Sequence, residues 1–223
     1  MQSKILVFDL DDTIYKEIDY LISAYREISE KLGLSLNGMI SEKEIFNEMF
    51  SFYKSHKNPF IEILKKYNIN DILMTDLLMI YRTHKPKIEL KPSTEKTLNY
   101  LKEKGYIMGI ITDGRSIQQR NKIQSLDIEK YFENIIISEE IGTEKPNLQN
   151  YIFFENTFPN CEYIYIGDNL KKDFVSANKL GWTTICLLDN GKNIHKQKFD
   201  LEKEYLPNYY INSIKEILNI IEY

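Results

Sequence analysis

The hydrophobic pattern of the chain changes twice along its length. A short apolar run, Ile5 to Phe8, comes first, and a run that is apolar on both faces is typical of a buried parallel strand. From Ile18 to about residue 81, apolar residues recur at spacings of three and four, which predicts amphipathic helices. After Thr94, helical stretches alternate with short apolar runs. The pattern predicts an α/β protein with helices inserted directly after its first strand.

The inserted segment contains four predicted helices. They cover residues 18–32, 42–53, 59–67 and 73–81. Gly33 is expected to end the first of them, since glycine commonly follows a helix. Because no strand pattern separates the four, we expect a helical bundle over residues 16–88. Residues 1–15 and 89–223 would then form one discontinuous α/β domain.

The second half of the chain supplies the other predicted strands. They lie at residues 107–111, 135–137, 163–166, 183–188 and 209–211. The helices between and after them are expected at residues 94–105, 116–126, 147–157, 168–181 and 214–221. Strands that alternate with helices in this way favour a parallel sheet with helices on both faces. The expected fold class is α/β, a Rossmann-like doubly wound parallel sheet with an inserted α-helical bundle.

Polar residues follow each of the first four predicted strands. In chain order they include Asp9, Asp11, Asp12 and Thr13, then Thr112, Asp113, Gly114 and Arg115, then Lys145, and finally Asp168, Asn169 and Asp173. The carboxyl ends of parallel strands share one edge of the sheet, so these groups should converge on one crevice. Crowded carboxylates need a cation, and hard oxygen ligands suit Mg²⁺. Together with a hydroxyl and an ammonium, they form the set that a phosphoryl group and a divalent metal require.

The order of these motifs resembles that of the haloacid dehalogenase-like hydrolase superfamily. The resemblance rests on Asp9-x-Asp11-x-Thr13, on Thr112, on Lys145 and on Gly167-Asp168-x-x-x-x-Asp173. The helical insert between the first two motifs resembles a cap domain of that family. The resemblance implies a Mg²⁺-dependent phosphomonoesterase that acts on a small phosphorylated metabolite, for example a sugar phosphate.

The same resemblance implies a role for each motif residue. Asp9 would attack phosphorus and form an aspartyl-phosphate, and Asp11 would protonate the leaving group and later deprotonate the hydrolytic water. The implied metal ligands are Asp9, Asp11 through its backbone carbonyl, Asp168 and Asp173, the last either as a ligand or as a support. Lys145 would neutralise charge on the nucleophile and the phosphoryl group.

The resemblance also implies that the second motif binds the phosphate group. Thr112 and the backbone amides of Asp113 and Gly114 would hold the phosphoryl oxygens. Arg115 could equally contact the substrate or lie on the helix surface. Asp12 receives no catalytic role and is expected to be a loop carboxylate.

Other side chains are expected at the entrance of the site or at the surface. The residues of the cap and its linkers expected to face the substrate are Tyr15, Lys16, Tyr20, Arg82 and His84. The three histidines, His56, His84 and His195, have no metal-ligand spacing, and a surface location is expected for them.

Composition narrows the class of protein. The chain has 29 basic and 33 acidic residues, a net charge of −4, which argues against nucleic-acid binding and against a polybasic membrane surface. Cys161 and Cys186 are expected to be reduced thiols. No signal-peptide pattern precedes the first strand, and no stretch has the length of a membrane span. We expect a soluble, cytoplasmic protein.

Two alternatives stay open. A phosphomutase would use the same residues and return the phosphoryl group to its substrate. A non-catalytic module that binds a phosphoester would keep the fold without turnover. An acid at Asp11 favours phosphatases and phosphomutases over dehalogenating relatives, which lack it. The sequence specifies neither the substrate nor the oligomeric state.

Overall fold

A computed structural model of the protein describes residues 3–222. Its centre is one parallel sheet of six strands in the order β3-β2-β1-β4-β5-β6. The strands are β1 Lys4–Phe8, β2 Ile107–Thr112, β3 Asn134–Ile137, β4 Glu162–Gly167, β5 Thr183–Leu187 and β6 Tyr209–Ile211. All five neighbouring pairs are parallel. The most N-terminal strand therefore lies in the middle of the sheet, with β2 and β4 on either side.

Helices surround this sheet and fill the segment between β1 and β2. Those between β1 and β2 are α1 Glu17–Ser35, α2 Glu42–Lys54, α3 Pro59–Lys66, α4 Met74–Thr83 and α5 Pro92–Glu103. The later ones are α6 Ser116–Ser125, α7 Ser138–Ile141, α8 Leu148–Thr157, α9 Phe174–Lys179 and α10 Leu218–Ile221. We call residues 17–83 the helical insert. Among residues 3–222, no helix combines the length and the apolar character that crossing a membrane requires.

Apolar clusters on both faces of the sheet confirm the doubly wound architecture. Leu6 and Phe8 point to one face, where helix α5 packs with the C-terminal helices. Ile5 and Val7 point to the other face and pack against α8 and α9. Strand β1 is thus buried on both sides, which explains its unbroken apolar sequence. Burying one such side chain completely stabilises the fold by roughly 1.5–3 kcal/mol.

Helix α1 continues past the residue at which we expected it to end. Gly33 lies inside the helix and is buried, close to Glu42 of α2. The chain leaves the helix at Asn37 and Gly38, both with positive φ, and the Gly38 amide donates to the Gly33 carbonyl oxygen at 3.0 Å. This pattern is that of a Schellman-type C-terminus, which needs its left-handed residue after the last turn and not within it. The expected end at Gly33 was therefore wrong.

Two other helices differ from expectation at their ends. The helix expected from residue 168 begins only at Phe174, because the Asp173 carboxylate binds the backbone amides of Asp168 and Asn169 and holds that segment as a turn. The expected last helix begins as a 3₁₀ turn, Ile214–Ile217, before α10.

The segment that follows α4 is attached to the insert by a buried histidine. His84 Nε2 lies 2.7 Å from Ser23 Oγ, and His84 Nδ1 bonds Glu27. The Lys87 amide donates to the same Ser23 oxygen at 2.8 Å. The surface location expected for His84 was wrong, because the returning chain packs against α1. His56 and His195 are exposed, as expected.

Candidate active site

Groups from separate strand ends converge at one edge of the sheet. The Asp9 amide donates to the Ile166 carbonyl oxygen of β4 at 2.8 Å, which fixes Asp9 at the carboxyl end of the central strand. Seven of the polar residues that follow the predicted strands line one cavity of about 150 Å³; they are Asp9, Asp11, Asp12, Asp113, Lys145, Asp168 and Asn169. The convergence expected from the parallel topology is present.

A buried lysine joins two of the carboxylates. Lys145 Nζ donates to Asp9 Oδ1 at 2.6 Å and to Asp173 Oδ1 at 2.8 Å. The backbone amide of Lys145 donates to Asp113 Oδ1 at 2.9 Å, so Asp113 fixes the position of the lysine from the second strand end. Burial acts to lower the pKa of Lys145, but Asp173 and Asp9 hold it well above its usual value. The ammonium is charged whenever the carboxylates are.

The carboxylates of Asp9, Asp168 and Asp173 form a buried cluster. One oxygen from each lies within 4.8 Å of the others. Burial, reinforced by neighbouring acids, raises the pKa of Asp9 to about 8 and that of Asp168 to about 9. The positive charge of one lysine therefore does not offset the effect of burial on Asp9 and Asp168. Hard oxygen donors that lack a countercharge fit a divalent metal ion such as Mg²⁺.

Asp173 makes hydrogen bonds with both of its carboxylate oxygens. Oδ1 accepts from Lys145 and from the Tyr165 hydroxyl, and Oδ2 accepts from the backbone amides of Asp168 and Asn169 at 3.0 and 2.7 Å. A Cβ at position 167 would lie 2.4 Å from Asp173 Oδ2, so only glycine allows this approach. Of the two roles expected for Asp173, these bonds favour support over direct ligation.

The Asp11 carboxylate bonds a different set of partners. Lys122 Nζ donates to its two oxygens at 2.7 and 2.9 Å, Gln119 Nε2 donates at 2.9 Å, and the Tyr15 hydroxyl donates at 2.5 Å. Burial alone would raise the pKa of Asp11, but Lys122 and these hydrogen bonds lower it overall. Asp9 and Asp11, two residues apart, thus have pKa values shifted in opposite directions.

The second-motif residues follow strand β2 and have different partners. Its hydroxyl is buried and accepts from Gln119 Nε2 at 2.6 Å. The Gly114 amide, expected to be free for phosphate, donates to Ser138 Oγ at 2.9 Å, because the short helix α7 packs beside it. Arg115 pairs with Glu139 at 2.6 Å on the surface, which selects the second of its two expected positions.

Asp12 has a structural position that the sequence did not reveal. It adopts a φ of 57° and is buried. One carboxylate oxygen accepts from the Glu17 amide at 3.1 Å, at the start of α1, and the other accepts from the Ile194 amide at 2.8 Å. Asp12 therefore attaches both the first helix of the insert and the loop after β5 to the end of β1.

The loop after β5 contributes groups that the sequence motifs missed. Asn193 Nδ2 donates to Asp168 Oδ2 at 2.7 Å, and Gln197 Nε2 donates to the Asp168 carbonyl oxygen at 2.8 Å. Asn193 Oδ1 also accepts from Lys16, which we had expected to face the substrate. No motif spacing marks these residues, because the loop reaches the site only through the tertiary fold.

Two of the residues of the cap and its linkers that were expected to face the substrate do not. Tyr20 is fully buried, its hydroxyl donates to the Tyr81 carbonyl oxygen, and its ring lies over Lys122. His84 is held by Ser23 and Glu27, as described above. Tyr15 lies at the site through Asp11, and the expectation for Arg82 stays a prediction.

Fold and site together define a Rossmann-like enzyme with a buried acidic centre that is paired with lysine. The chain belongs to the haloacid dehalogenase-like hydrolases, since the sequence model of that family matches residues 6–187. It is 32% identical to the glyceraldehyde 3-phosphate phosphatase of Methanocaldococcus jannaschii, over 97% of this chain and 96% of that protein. The corresponding phosphatase of Methanopyrus kandleri is 28% identical, over 98% and 97% of the two chains.

A solved structure shows the same fold. The haloacid dehalogenase-like phosphatase of Thermococcus onnurineus superposes with a TM-score of 0.61 at 24% identity, over 99% of this chain and 97% of that one. The comparisons confirm the family, the fold class and the class of enzyme expected from the sequence, a hydrolase of phosphoric monoesters.

Proposed function

We propose that the protein is a Mg²⁺-dependent phosphatase that hydrolyses a small sugar phosphate through an aspartyl-phosphate on Asp9. The observation that carries the proposal is the buried Lys145–Asp9 pair beside Asp168, with Asp11 held separately two residues further on. Two relatives that match nearly the whole chain are named glyceraldehyde 3-phosphate phosphatases, which supports a triose phosphate as substrate.

In the first chemical step, Asp9 would act as the nucleophile. Its carboxylate attacks phosphorus, the bond from phosphorus to the ester oxygen breaks, and Asp11 gives a proton to the departing oxygen. The ammonium of Lys145, 2.6 Å from Asp9 Oδ1, offsets the negative charge that accumulates as the carboxylate and the phosphoryl group approach. In the second step Asp11 takes a proton from water, which attacks the phosphorus and releases phosphate and free Asp9.

The acidic cluster would hold the metal ion. Asp9 and Asp168 would be side-chain ligands, Asp11 would contribute its backbone carbonyl, and Asp173 would support the turn that carries Asp168. Bound there, Mg²⁺ would supply positive charge that stabilises the phosphoryl oxygens. Asn193 fixes the Asp168 carboxylate through its bond to Oδ2.

The helical insert would act as the cap of the site, within the expected cap segment of residues 16–88. Glu17, at the start of α1, lines the same cavity as Asp9 and Asp11. Ile194 of the loop after β5 packs against the apolar cluster of the insert, while its amide bonds Asp12. These contacts connect the insert to the site. A cap in this place would exclude bulk water during transfer to Asp9.

Phosphate release from a panel of esters tests this function. With Mg²⁺ we expect hydrolysis of small alkyl phosphates, glyceraldehyde 3-phosphate among the best, and loss of activity after chelation that added Mg²⁺ restores. An isomerised phosphoester without free phosphate would instead indicate a phosphomutase. Tight binding without turnover across the panel would indicate a non-catalytic module.

Metal removal should also have a pH-dependent effect on stability. In the metal-free folded protein the pKa of Asp9 is about 8 and that of Asp168 about 9, against about 3.8 when exposed. Between pH 4 and 8 the folded state therefore binds more protons than the unfolded state, and the free energy of unfolding falls as pH rises. Because Mg²⁺ binds the ionised carboxylates, it should raise the melting temperature at pH 8 far more than at pH 5.

The stability measurement is a thermal melt at both pH values with and without Mg²⁺. At a Mg²⁺ concentration of about 100 times Kd the gain at pH 8 should approach about 2.7 kcal/mol. Asp168→Asn provides the control and should lose most of this response. An equal Mg²⁺ effect at pH 5 and pH 8 in the wild-type protein would contradict the metal assignment.

A further inference from the structure

The acidic residue at the start of α1 has no part in the mechanism above. Of the described residues that line the cavity with Asp9 and Lys145, Glu17 alone belongs to the helical insert. Its side chain is 23% exposed, so most of it is removed from water. The insert therefore presents a carboxyl group to the space in which the substrate of the proposed reaction would lie.

The Glu17 carboxyl group has unused hydrogen-bonding capacity. Within residues 3–222 it takes part in no hydrogen bond, although Lys122 Nζ lies 3.8 Å from its Oε1. That ammonium bonds both oxygens of Asp11 instead, at 2.7 and 2.9 Å. A carboxyl group that is largely removed from water is unfavourable without hydrogen bonds. A ligand that supplies a polar group at this point would therefore bind more tightly than one that does not.

The helix dipole does not explain why Glu17 lies in the cavity. An acid in the first turn of a helix is favoured by the dipole, and it can have this effect while it stays in water. Asp19, in the same turn, is exposed. The backbone amide of Glu17 donates to Asp12 Oδ1 at 3.1 Å, which attaches the helix start without the Glu17 side chain. The side chain is therefore available for a ligand.

We propose that Glu17 determines substrate specificity by binding a hydroxyl group on the carbon chain of the phosphate ester. The inference deepens the proposed function and rests on it. The phosphoryl group would lie against Asp9 and Lys145, so the carbon chain would occupy the rest of the cavity, which the insert borders at Glu17. The ligand class is therefore a short phosphate ester with a hydroxyl group on its chain.

A hydroxyl group fits this carboxyl group in either protonation state. Burial, together with the nearby charge of Asp11, raises the pKa of Glu17 to about 8. A hydroxyl donates to an ionised carboxylate and accepts from a protonated carboxyl group, so recognition does not require one particular state. An alkyl chain without a hydroxyl would leave the carboxyl group unpaired, and a site of this kind rejects such an analogue.

Two esters with three carbons each, glyceraldehyde 3-phosphate and propyl phosphate, test this role. In the wild-type protein with Mg²⁺, kcat/KM should be higher for glyceraldehyde 3-phosphate, because only this ester has a hydroxyl group on its chain. For Glu17→Met we expect its kcat/KM to fall about 10-fold or more, since the bound hydroxyl loses its partner. For propyl phosphate kcat/KM should be unchanged or higher, because no unpaired carboxyl group then lies beside the alkyl chain.

Matched variants separate specificity from a general loss of activity. Glu30→Met, at an exposed position of α1, should leave both esters unaffected. Glu17→Gln keeps a donor and an acceptor, and it should retain most of the preference for glyceraldehyde 3-phosphate. In Glu17→Met the bonds of Lys122 to Asp11 do not depend on the altered side chain, so the Mg²⁺-induced rise in melting temperature should persist.

The ratio of kcat/KM for the two esters decides between the outcomes. A wild-type ratio in Glu17→Met, or an equal fall for both esters, would overturn the specificity role. If this variant fails to fold, the wild-type protein decides, since equal kcat/KM values for the two esters would also overturn the role. A wild-type protein that hydrolyses neither ester would instead refute the proposed function itself.

Discussion

Replacement of Asp9 by Asn is expected to reduce phosphate-ester turnover by about 10⁴-fold or more. The amide is a poor nucleophile and cannot form the aspartyl-phosphate, while it occupies the same volume as the carboxyl group. Its oxygen can still accept from Lys145, so the fold around the buried pair should persist. The measurement is kcat with Mg²⁺ for the best ester of the panel, together with a thermal melt.

An exposed aspartate provides the matched control for this variant. Asp19, on the solvent side of α1, lies ten residues further along the chain, and Asp19→Asn should keep wild-type kcat. A folded Asp9→Asn protein with more than one hundredth of wild-type kcat would exclude Asp9 as the nucleophile. Loss of activity in both variants would instead point to a shared effect on the fold.

The sheet and the convergence of the site could be predicted because they depend on local pattern. Strand β1 is apolar at every position from Ile5 to Phe8, and this pattern requires burial on both faces wherever the strand lies in the sheet. Parallel topology then brings Asp9, Thr112 and Asp168 to one edge without any knowledge of side-chain packing.

The positions of Tyr20 and His84 could not be predicted from the local hydrophobic pattern, because they depend on how helix α1 packs against the rest of the protein. Helix α1 buries two faces: Leu21 and Tyr25 lie in the cluster of the insert, whereas Tyr20 and Ala24 lie in the core cluster. A helix that lies between two packed layers has no free face for substrate at Tyr20. His84 is buried for a related reason, since the chain returning to the core runs along the same helix.

The polar residues of α6 illustrate a signal that the sequence did contain. Gln119 and Lys122 occur at the helical spacing of Ile123 and Leu126, all of them buried. Polar side chains at core positions of a helix need partners, and their presence next to the second motif indicates a site. Asn193 and Gln197 carry no such signal, because a loop without periodicity gives no indication of where its side chains lie.

Replacement of Lys145 by Met is expected to have the second large effect, on activity and stability together. The variant leaves Asp9 and Asp173 buried without the ammonium that bonds both. Removing one member of a buried ion pair costs about 3–5 kcal/mol of unfolding free energy. Turnover should fall about 10²–10³-fold or more, because the charge on the transferring phosphoryl group loses its fixed partner.

Lys172→Met provides the comparison for stability. Lys172 pairs with Asp113 at 2.8 Å near the same cavity, but it is 41% exposed, so its loss should cost less than about 1 kcal/mol. Chemical denaturation of both variants measures the difference. Equal stability losses would mean that burial does not determine the strength of the Lys145 contacts.

Mg²⁺ should partly compensate for the loss of Lys145 in stability but not in turnover. In the folded protein both cations offset the charge of the cluster formed by Asp9, Asp168 and Asp173, so the stabilisation by Mg²⁺ should be greater in Lys145→Met than in the wild-type protein. The lysine, however, joins Asp9 Oδ1 at 2.6 Å to Asp173 Oδ1 at 2.8 Å, and a metal ion bound to Asp9 and Asp168 would not replace that connection. If Mg²⁺ restored turnover as well as stability, Lys145 would act only as a countercharge.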